Sequence, residues 1–154
     1  MGYYQKRNMF RGRFEHTIDS KGRVSIPAKF RELLGEKYDD RLIITNFDRC
    51  LVAYPYEEWR DVEEKVSSLS MVKKEVKAFQ RVVISGATEC PIDKLGRVLI
   101  PPTLRSYAQL EKDVVFAGML KRFEIWSKER FVEEIRKAEE NLEEMGETLA
   151  ALGL

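Results

Sequence analysis

One fourteen-residue unit occurs twice in the sequence. Residues 18–31 read IDSKGRVSIPAKFR, and residues 92–105, seventy-four positions later, read IDKLGRVLIPPTLR. The ungapped copies are identical at eight of the fourteen positions, which are Ile18/Ile92, Asp19/Asp93, Gly22/Gly96, Arg23/Arg97, Val24/Val98, Ile26/Ile100, Pro27/Pro101 and Arg31/Arg105. This repeat constrains the fold more than any other feature, because both copies are expected to form the same local structure.

Each copy predicts a tight turn, a short strand and the start of a helix. The glycine allows a positive φ in the turn, and the aspartate can accept a hydrogen bond from the backbone two residues further on. Valine and isoleucine then alternate with a period of two, so both side chains reach one face of a strand. The proline that follows suits the first position of a helix. The predicted buried residues of the two helices are Phe30, Leu33, Leu34, Leu104 and Leu110.

Arg23 and Arg97 each follow the turn glycine, four residues after the aspartate. Two interpretations of this Asp–Arg pair stay open. In the first, the pair is a structural clasp that holds the loop closed. In the second, the loop presents a cation to a DNA phosphate or to the edge of a base. The two interpretations are compatible.

The segments DSKGRVSIPAKFR and DKLGRVLIPPTLR resemble the two DxxxR signatures of the MraZ family, bacterial proteins built of tandem SpoVT-AbrB-type units. The stretch MFRGRFEHTIDSKGR, residues 9–23, resembles the usual opening of that family. The resemblance extends from Met9 to the C-terminal helix. There are two differences: residues 1–8 precede the family pattern, and Leu95 stands where the first copy has Lys21.

The resemblance implies an α+β fold with a mainly β core. It implies a pseudo-twofold, AbrB-like double-split β-barrel made from two tandem repeats, with flanking helices and a C-terminal helix. The implied function is transcriptional regulation, expected to be repression, by a ring-shaped homo-oligomer bound to double-stranded promoter DNA in the nucleoid. The implied targets are direct repeats, about one helical turn apart, that control the cell-division and cell-wall gene cluster and the protein's own promoter.

Basic residues are concentrated near the N-terminus. Residues 1–31 contain eight Lys or Arg and two acids, a net charge of +6, whereas the whole chain carries +1. This asymmetry is typical of a polyanion-binding face, although a solvated tail would also explain Lys6 and Arg7. The predicted DNA-binding residues are Arg11, Arg13, Lys21, Arg23, Lys29, Lys94 and Arg97, and the predicted loop-organising residues are Asp19, Gly22, Asp93 and Gly96.

The repeats alternate with helical segments. The expected units are repeat 1 (13–56), a helical connector (57–83), repeat 2 (84–127) and a C-terminal helix (128–152). Apolar residues of the connector recur at steps of three and four, as in an amphipathic helix. Ser67, Ser68 and Ser70 interrupt this pattern and predict a break into two helices.

The C-terminal helix carries a narrow apolar stripe with a period of 3.5 residues, which suits packing against another helix. The stripe consists of Phe131, Ile135, Ala138, Leu142, Met145, Leu149 and Leu152. Ser127 is a predicted N-cap. We expect the helical segment Tyr56–Val83 of the same chain to be the partner. A neighbouring subunit in a ring is the alternative.

The sequence offers little for catalysis. His16 is the only histidine, and Cys50 and Cys90 have no second ligand at metal-binding spacing. No phosphate-binding glycine loop is present. We therefore expect no enzyme, metal site, cofactor or small-molecule substrate. No apolar run approaches the roughly 20 residues of a membrane-spanning helix, and the N-terminus does not resemble a secretory signal, so we expect a cytoplasmic protein without a membrane partner.

A protein-interaction module is the alternative function. Other members of the AbrB-like class pair with a toxin or another protein. In that case the stripe from Phe131 to Leu152 would be the binding surface and the basic turns would be structural. Removing the C-terminal helix would abolish partner binding in such a module, whereas it would mainly weaken stability or assembly in a DNA-binding regulator.

Overall fold

The computed structural model describes residues 9–154, which form a mixed α+β structure. In chain order the elements are β1 (Arg13–Thr17), β2 (Arg23–Ser25), α1 (Ala28–Lys37), β3 (Arg41–Phe47), β4 (Cys50–Pro55), α2 (Tyr56–Ser67), α3 (Lys74–Phe79), a π-helical turn (Gln80–Ile84), β5 (Thr88–Pro91), β6 (Arg97–Leu99), α4 (Pro102–Ala108), β7 (Asp113–Gly118), β8 (Phe123–Ser127), α5 (Lys128–Glu144) and α6 (Gly146–Ala151). Within these residues, no helix is long and apolar enough to cross a membrane.

The turn, strand and helix predicted for each copy are present. Gly22 and Gly96 have φ values of +93° and +80°, β2 and β6 follow them, and α1 and α4 follow the strands. Pro27 and Pro101 lie at the N-caps, one residue before the predicted position. All five predicted apolar residues are buried, although Leu110 lies beyond the end of α4 at Ala108. The local prediction for the repeat is therefore confirmed.

The larger sheet has six strands in the order β1-β7-β8-β4-β3-β5, and all its neighbours are antiparallel. The smaller sheet consists of β2 and β6, also antiparallel. Both sheets therefore join strands of the first copy to strands of the second. Because of this mixing, neither copy has a complete sheet of its own.

The main core lies between the six-stranded sheet and a layer formed by β2, β6, α1 and α4. Val24 and Val98 of the small sheet pack there with Phe30, Phe116 and Phe123. The opposite face of the large sheet carries two smaller clusters. One includes Trp126 and Phe131 under α5, and the other includes Ile43, Trp59 and Val83 under α2 and the π-helical turn.

The expected barrel is not formed as one closed sheet. Strand pairing in the large sheet ends at β1 on one side and at β5 on the other, and β2 and β6 form a sheet of their own. These two strands have only three residues each. They pair with each other, and no ladder connects either of them to an edge of the large sheet.

The helical connector breaks as predicted. Helix α2 ends at Ser67, and α3 begins at Lys74. The hydroxyls of Ser67 and Ser68 donate to the carbonyls of Glu64 and Lys65. Such local bonds from serine compete with continuation of the helix.

The predicted partner of the C-terminal stripe is wrong. Helix α5 packs against β7 and β8, not against the segment Tyr56–Val83. Phe131 and Ile135 contact the sheet cluster around Trp126, whereas Leu142, Met145 and Leu152 are about half exposed or more. The helix also ends at Glu144 and restarts at Gly146. The stripe predicted correctly which residues are apolar neighbours, but a period cannot identify the surface they contact.

Candidate nucleic-acid interface

Asp19 organises the first turn through both carboxylate oxygens. Its Oδ1 accepts hydrogen bonds from the backbone N–H groups of Lys21 and Arg23, each at 2.9 Å. Its Oδ2 accepts one from Nε of Arg23 at 2.8 Å. These bonds, the backbone bond from Arg23 foremost, lower the pKa of Asp19 to about 2. The carboxylate is therefore ionised at neutral pH and holds the arginine side chain.

Asp93 repeats this geometry in the second turn. Its Oδ1 accepts from the backbone N–H groups of Leu95 and Arg97, each at 2.9 Å, and its Oδ2 accepts from Nε of Arg97 at 3.2 Å. The same donors lower the pKa of Asp93. The structural clasp considered from the sequence is therefore present in both copies.

The two turns are joined to each other. The backbone N–H of Ile26 donates to the carbonyl of Gly96 at 2.9 Å, and that of Ile100 donates to the carbonyl of Gly22 at 2.8 Å. The paired strands bring these groups together, since each strand starts at the turn of its own copy and ends beside the turn of the other.

Arg31 and Arg105 complete this junction, a structural role that sequence reasoning did not assign to them. The side chain of Arg105, from α4, lies against Gly22, and its Nε donates to the carbonyl of Ile100 at 3.0 Å. The side chain of Arg31, from α1, lies against Gly96. Both arginines are among the eight identities of the repeat. An arginine repeated at the same helical position of both copies was the sequence signal for this structural role.

The outer face of the small sheet brings the two signature arginines together. Arg23 lies opposite Leu99, and Arg97 lies opposite Ser25. The side chains between them, Val24 and Val98, point inward and are almost fully buried. Strand alternation therefore places all four outward residues on one surface, which we call the β2–β6 face.

Other predicted contact residues occupy different places. Lys21 and Lys94 are exposed in the two turns. Arg11 and Lys29 line a groove between the segment before β1 and α1. Arg13 lies elsewhere: its guanidinium sits 5.4 Å from the centre of the Phe131 ring, under α5 on the opposite side of the large sheet. Lys6 and Arg7 fall outside the described residues.

The groups considered for catalysis are in apolar surroundings. His16 lies edge-on to Phe116, with ring centres 5.5 Å apart, and burial lowers the pKa of its imidazole. Cys50 and Cys90 are buried free thiols. Burial is the main cause that raises the pKa of both, to about 11 for Cys90. In residues 9–154, no group of three or more His, Cys, Asp or Glu side chains could hold a metal ion.

The family described as "MraZ protein, putative antitoxin-like" matches this chain twice, over residues 9–82 and over residues 83–152. Each match contains one copy of the turn, strand and helix. The chain belongs to the MraZ family. The two matches also divide the chain into tandem units, and the strand order shows that these MraZ units share both sheets.

Individual MraZ relatives are similar over nearly their full length. The transcriptional regulator MraZ of Caldanaerobacter subterraneus subsp. tengcongensis is 50% identical over 141 residues, 92% of this chain and 96% of the relative. The protein of the same name from Thermoanaerobacter sp. strain X514 is 49% identical over 146 residues, 95% of this chain and all of the relative. A third, from Desulfitobacterium hafniense strain Y51, is 46% identical over 146 residues.

Proposed function

We propose that the chain is a DNA-binding transcriptional regulator that contacts double-stranded DNA through the β2–β6 face and the two turns beside it. The observation that carries the proposal is the convergence of Arg23 and Arg97, one from each unit, on a single exposed surface. Relatives named as transcriptional regulators support this function, and their name describes a regulator, not an enzyme.

Each Asp–Arg clasp orients its arginine and leaves the terminal guanidinium nitrogens available to bind DNA. Asp19 and Asp93 bind Nε of their arginines. Among the described residues, the terminal guanidinium nitrogens of Arg23 and Arg97 donate no hydrogen bond, and about one third of each side chain is exposed. These nitrogens are the donors that arginine uses towards phosphate oxygens or towards O6 and N7 of guanine. The aspartates fix the direction of the arginines, and Lys21 and Lys94 add positive charge for the phosphates.

The test is a salt series of binding to the DNA upstream of the protein's own gene and to unrelated DNA of equal length. Arg23→Ala and Arg97→Ala should each weaken binding by about 1–3 kcal/mol if they contact a base edge, or reduce the salt slope by about 1 if they contact phosphate. Arg136→Ala is the matched control, because it removes an exposed, acid-paired arginine from α5. Equal binding by all three variants would contradict the proposal.

We also propose that the protein assembles head to tail into a ring. The last two helices expose apolar residues of the C-terminal stripe and, on their other sides, many acidic residues. We call this exposed helical end the acidic helix face, and it consists of Leu142, Met145, Leu152, Glu139, Glu140, Glu143, Glu144 and Glu147. The junction of α2 and α3 exposes a second apolar patch among basic residues, and this basic loop face consists of Leu69, Met71, Val72, Lys73, Lys74, Lys77 and Arg81. Unlike, complementary faces on one chain favour a heterologous contact, which forms a ring when the rotation closes.

Charge reversal tests this contact. A variant with Lys73, Lys74 and Lys77 changed to Glu should not assemble alone, because both faces are then acidic. A variant with Glu140, Glu143 and Glu144 changed to Lys should fail for the opposite reason. An equimolar mixture should assemble again, as measured by size-exclusion chromatography with light scattering. A stable wild-type monomer would contradict the ring.

Repression, direct repeats and control of the cell-division and cell-wall genes follow from the family resemblance and belong to the same proposal, as does association with the nucleoid. A ring repeats its DNA-binding face at regular intervals, which suits direct repeats about one helical turn apart. A footprint on the upstream DNA should therefore show protected segments at that spacing. Transcription from the same fragment should fall when the protein is added; a rise would reverse the sign of regulation.

The interaction module is the second candidate, favoured by the exposed acidic helix face. Deleting residues 139–154 separates the two functions, because it keeps Phe131 and Ile135, which cover the sheet. A DNA-binding regulator should retain the binding of a single subunit to DNA after this deletion and lose assembly. The module would be favoured if the full chain binds a protein partner but not DNA, and if the deletion abolishes binding to that partner.

A further inference from the structure

The β2–β6 face is unequal in its two halves. At the equivalent outward positions, the first unit has Lys21 and Ser25, and the second has Leu95 and Leu99. Leu95 is 69% exposed and Leu99 is 57% exposed. The backbone in the two halves is closely alike, since both clasps and both cross-turn hydrogen bonds are repeated. The difference therefore lies in the side chains that face outward.

Leu99 is surrounded by the groups proposed to bind DNA. It lies directly opposite Arg23 in the strand ladder and two residues from Arg97 on its own strand. Its side chain stands on the same side of the sheet as both guanidinium groups, while Val98 next to it points into the core. A ligand that binds the two arginines will therefore also contact this leucine.

The ligand must combine negative charge with an apolar group within a few ångströms. Duplex DNA does so in the major groove, where thymine presents its C5-methyl group beside the hydrogen-bonding edges of the bases. The positive charge of Arg23, Arg97, Lys21 and Lys94 is complementary to the phosphates on either side of the groove. An apolar protein surface would leave the terminal nitrogens of the two guanidinium groups without a hydrogen-bond acceptor.

We propose that Leu99 is a specificity-determining residue that contacts the methyl group of a thymine next to the base or phosphate bound by the signature arginines, with Leu95 extending the apolar contact. This proposal rests on the proposed DNA binding and adds a base preference to it. The contact also gives the subunit a direction on DNA, because the half that carries Ser25 cannot replace the half that carries Leu99.

The test removes only the methyl group. The DNA upstream of the protein's own gene is prepared once with thymidine and once with deoxyuridine, and the affinity of the full-length protein for each is measured. Burying one methyl-sized group contributes about 0.8 kcal/mol, so the wild-type protein should bind the uracil DNA about four-fold more weakly for each methyl contacted. Equal affinity for the two DNAs would overturn the proposal without the use of any variant.

Variants assign the effect to the leucine. Leu99→Ser gives the second unit the residue of the first, and it should bind both DNAs with nearly equal affinity. The control is Leu120→Ser, which removes a similarly exposed leucine, 55% exposed, between β7 and β8, and it should keep the wild-type preference for thymine. Circular dichroism checks that both variants are folded, and Leu99→Thr replaces Leu99→Ser if the serine disturbs the strand.

The outcomes separate this inference from the proposed function. A thymine preference that persists in Leu99→Ser would show that another residue reads the methyl group. Binding that depends on Arg23 but not on thymine methyls would leave the DNA-binding function intact and refute the role of Leu99. Failure of the wild-type protein to distinguish its upstream DNA from unrelated DNA at physiological salt would instead refute the proposed function.

Discussion

The two turn glycines provide a matched pair of substitutions that test the conformation of the turns. Both have positive φ, +93° at Gly22 and +80° at Gly96. A side chain in such a conformation costs about 1–3 kcal/mol. On this contribution alone, Gly22→Ala and Gly96→Ala would destabilise the protein equally.

The surroundings of the two glycines add to this cost. A Cβ at Gly22 would lie 2.8 Å from the backbone oxygen of Ile100, and a Cβ at Gly96 would overlap the guanidinium of Arg31. A guanidinium at the end of a flexible side chain can move away. The backbone of Ile100 cannot, because its N–H donates to the carbonyl of Gly22 at 2.8 Å and the displacement would disturb that bond.

We therefore expect Gly22→Ala to lower the free energy of unfolding by about 2–4 kcal/mol, the sum of the backbone cost and one cross-turn hydrogen bond of about 1 kcal/mol. Gly96→Ala should lower it by a similar amount, because the N–H of Ile26 donates to the carbonyl of Gly96 in the same way. Urea unfolding followed by circular dichroism measures both, provided that the m-values agree. Gly35→Ala is the control of opposite sign: a Cβ there meets nothing within 4 Å, and alanine favours the helix by about 0.5–1 kcal/mol. A loss at Gly22 smaller than about 1 kcal/mol would refute the cost assigned to the positive φ and the cross-turn contact.

Three further substitutions test the clasp, the core and the long C-terminal helix α5. Asp19 has a folded-state pKa of about 2, below the ordinary 3.8. Its contribution to the free energy of unfolding is therefore present above about pH 4 and is lost as the pH falls towards 2. Asp19→Asn should make stability depend less on pH in that window, as measured by urea unfolding at several pH values. Phe30 is 2% exposed, and the centre of its ring lies 4.9 Å from the centre of the Phe123 ring. Phe30→Ala should lower the free energy of unfolding by about 3–5 kcal/mol, and a loss below about 1 kcal/mol would contradict its place in the core. The hydroxyl of Ser127 accepts a hydrogen bond from the N–H of Arg130. Ser127→Ala should lower the free energy of unfolding by about 1 kcal/mol, measured by thermal or urea unfolding, whereas Ser127→Asp should keep most of this stabilisation.

Local structure was predictable because its causes lie within a few residues. The turn at Gly22 follows from a glycine three residues after an aspartate, and the break after Ser67 follows from serine chemistry. The buried positions Phe30 and Leu104 follow from their spacing after a proline. In each case the residues that determine the structure are neighbours in the chain.

The family resemblance implied that the two units share their strands, but the residues alone do not predict which strands pair. The alternation of Val24 and Ile26 gives a strand one buried face, but it does not name the strand that completes the ladder. The partner of β1 is β7, which lies about 100 residues later in the chain, and the partner of β2 is β6, which lies 74 residues later. The same limit explains the wrong partner predicted for the apolar stripe that begins at Phe131: the stripe shows which residues are apolar, but not that they pack on a sheet instead of a helix.

The interlocked turns explain why the unit occurs twice. In a single copy, the carbonyl of Gly22 would lose the N–H of Ile100, and Val24 would lose Val98, its partner across the small sheet. A second copy on a separate chain could supply the same groups, but the two halves would then be identical. Covalent linkage in tandem keeps the shared scaffold and lets the outward residues differ. The contrast between Ser25 and Leu99 depends on that freedom, so the polarity proposed for the DNA-binding face requires two units in one chain.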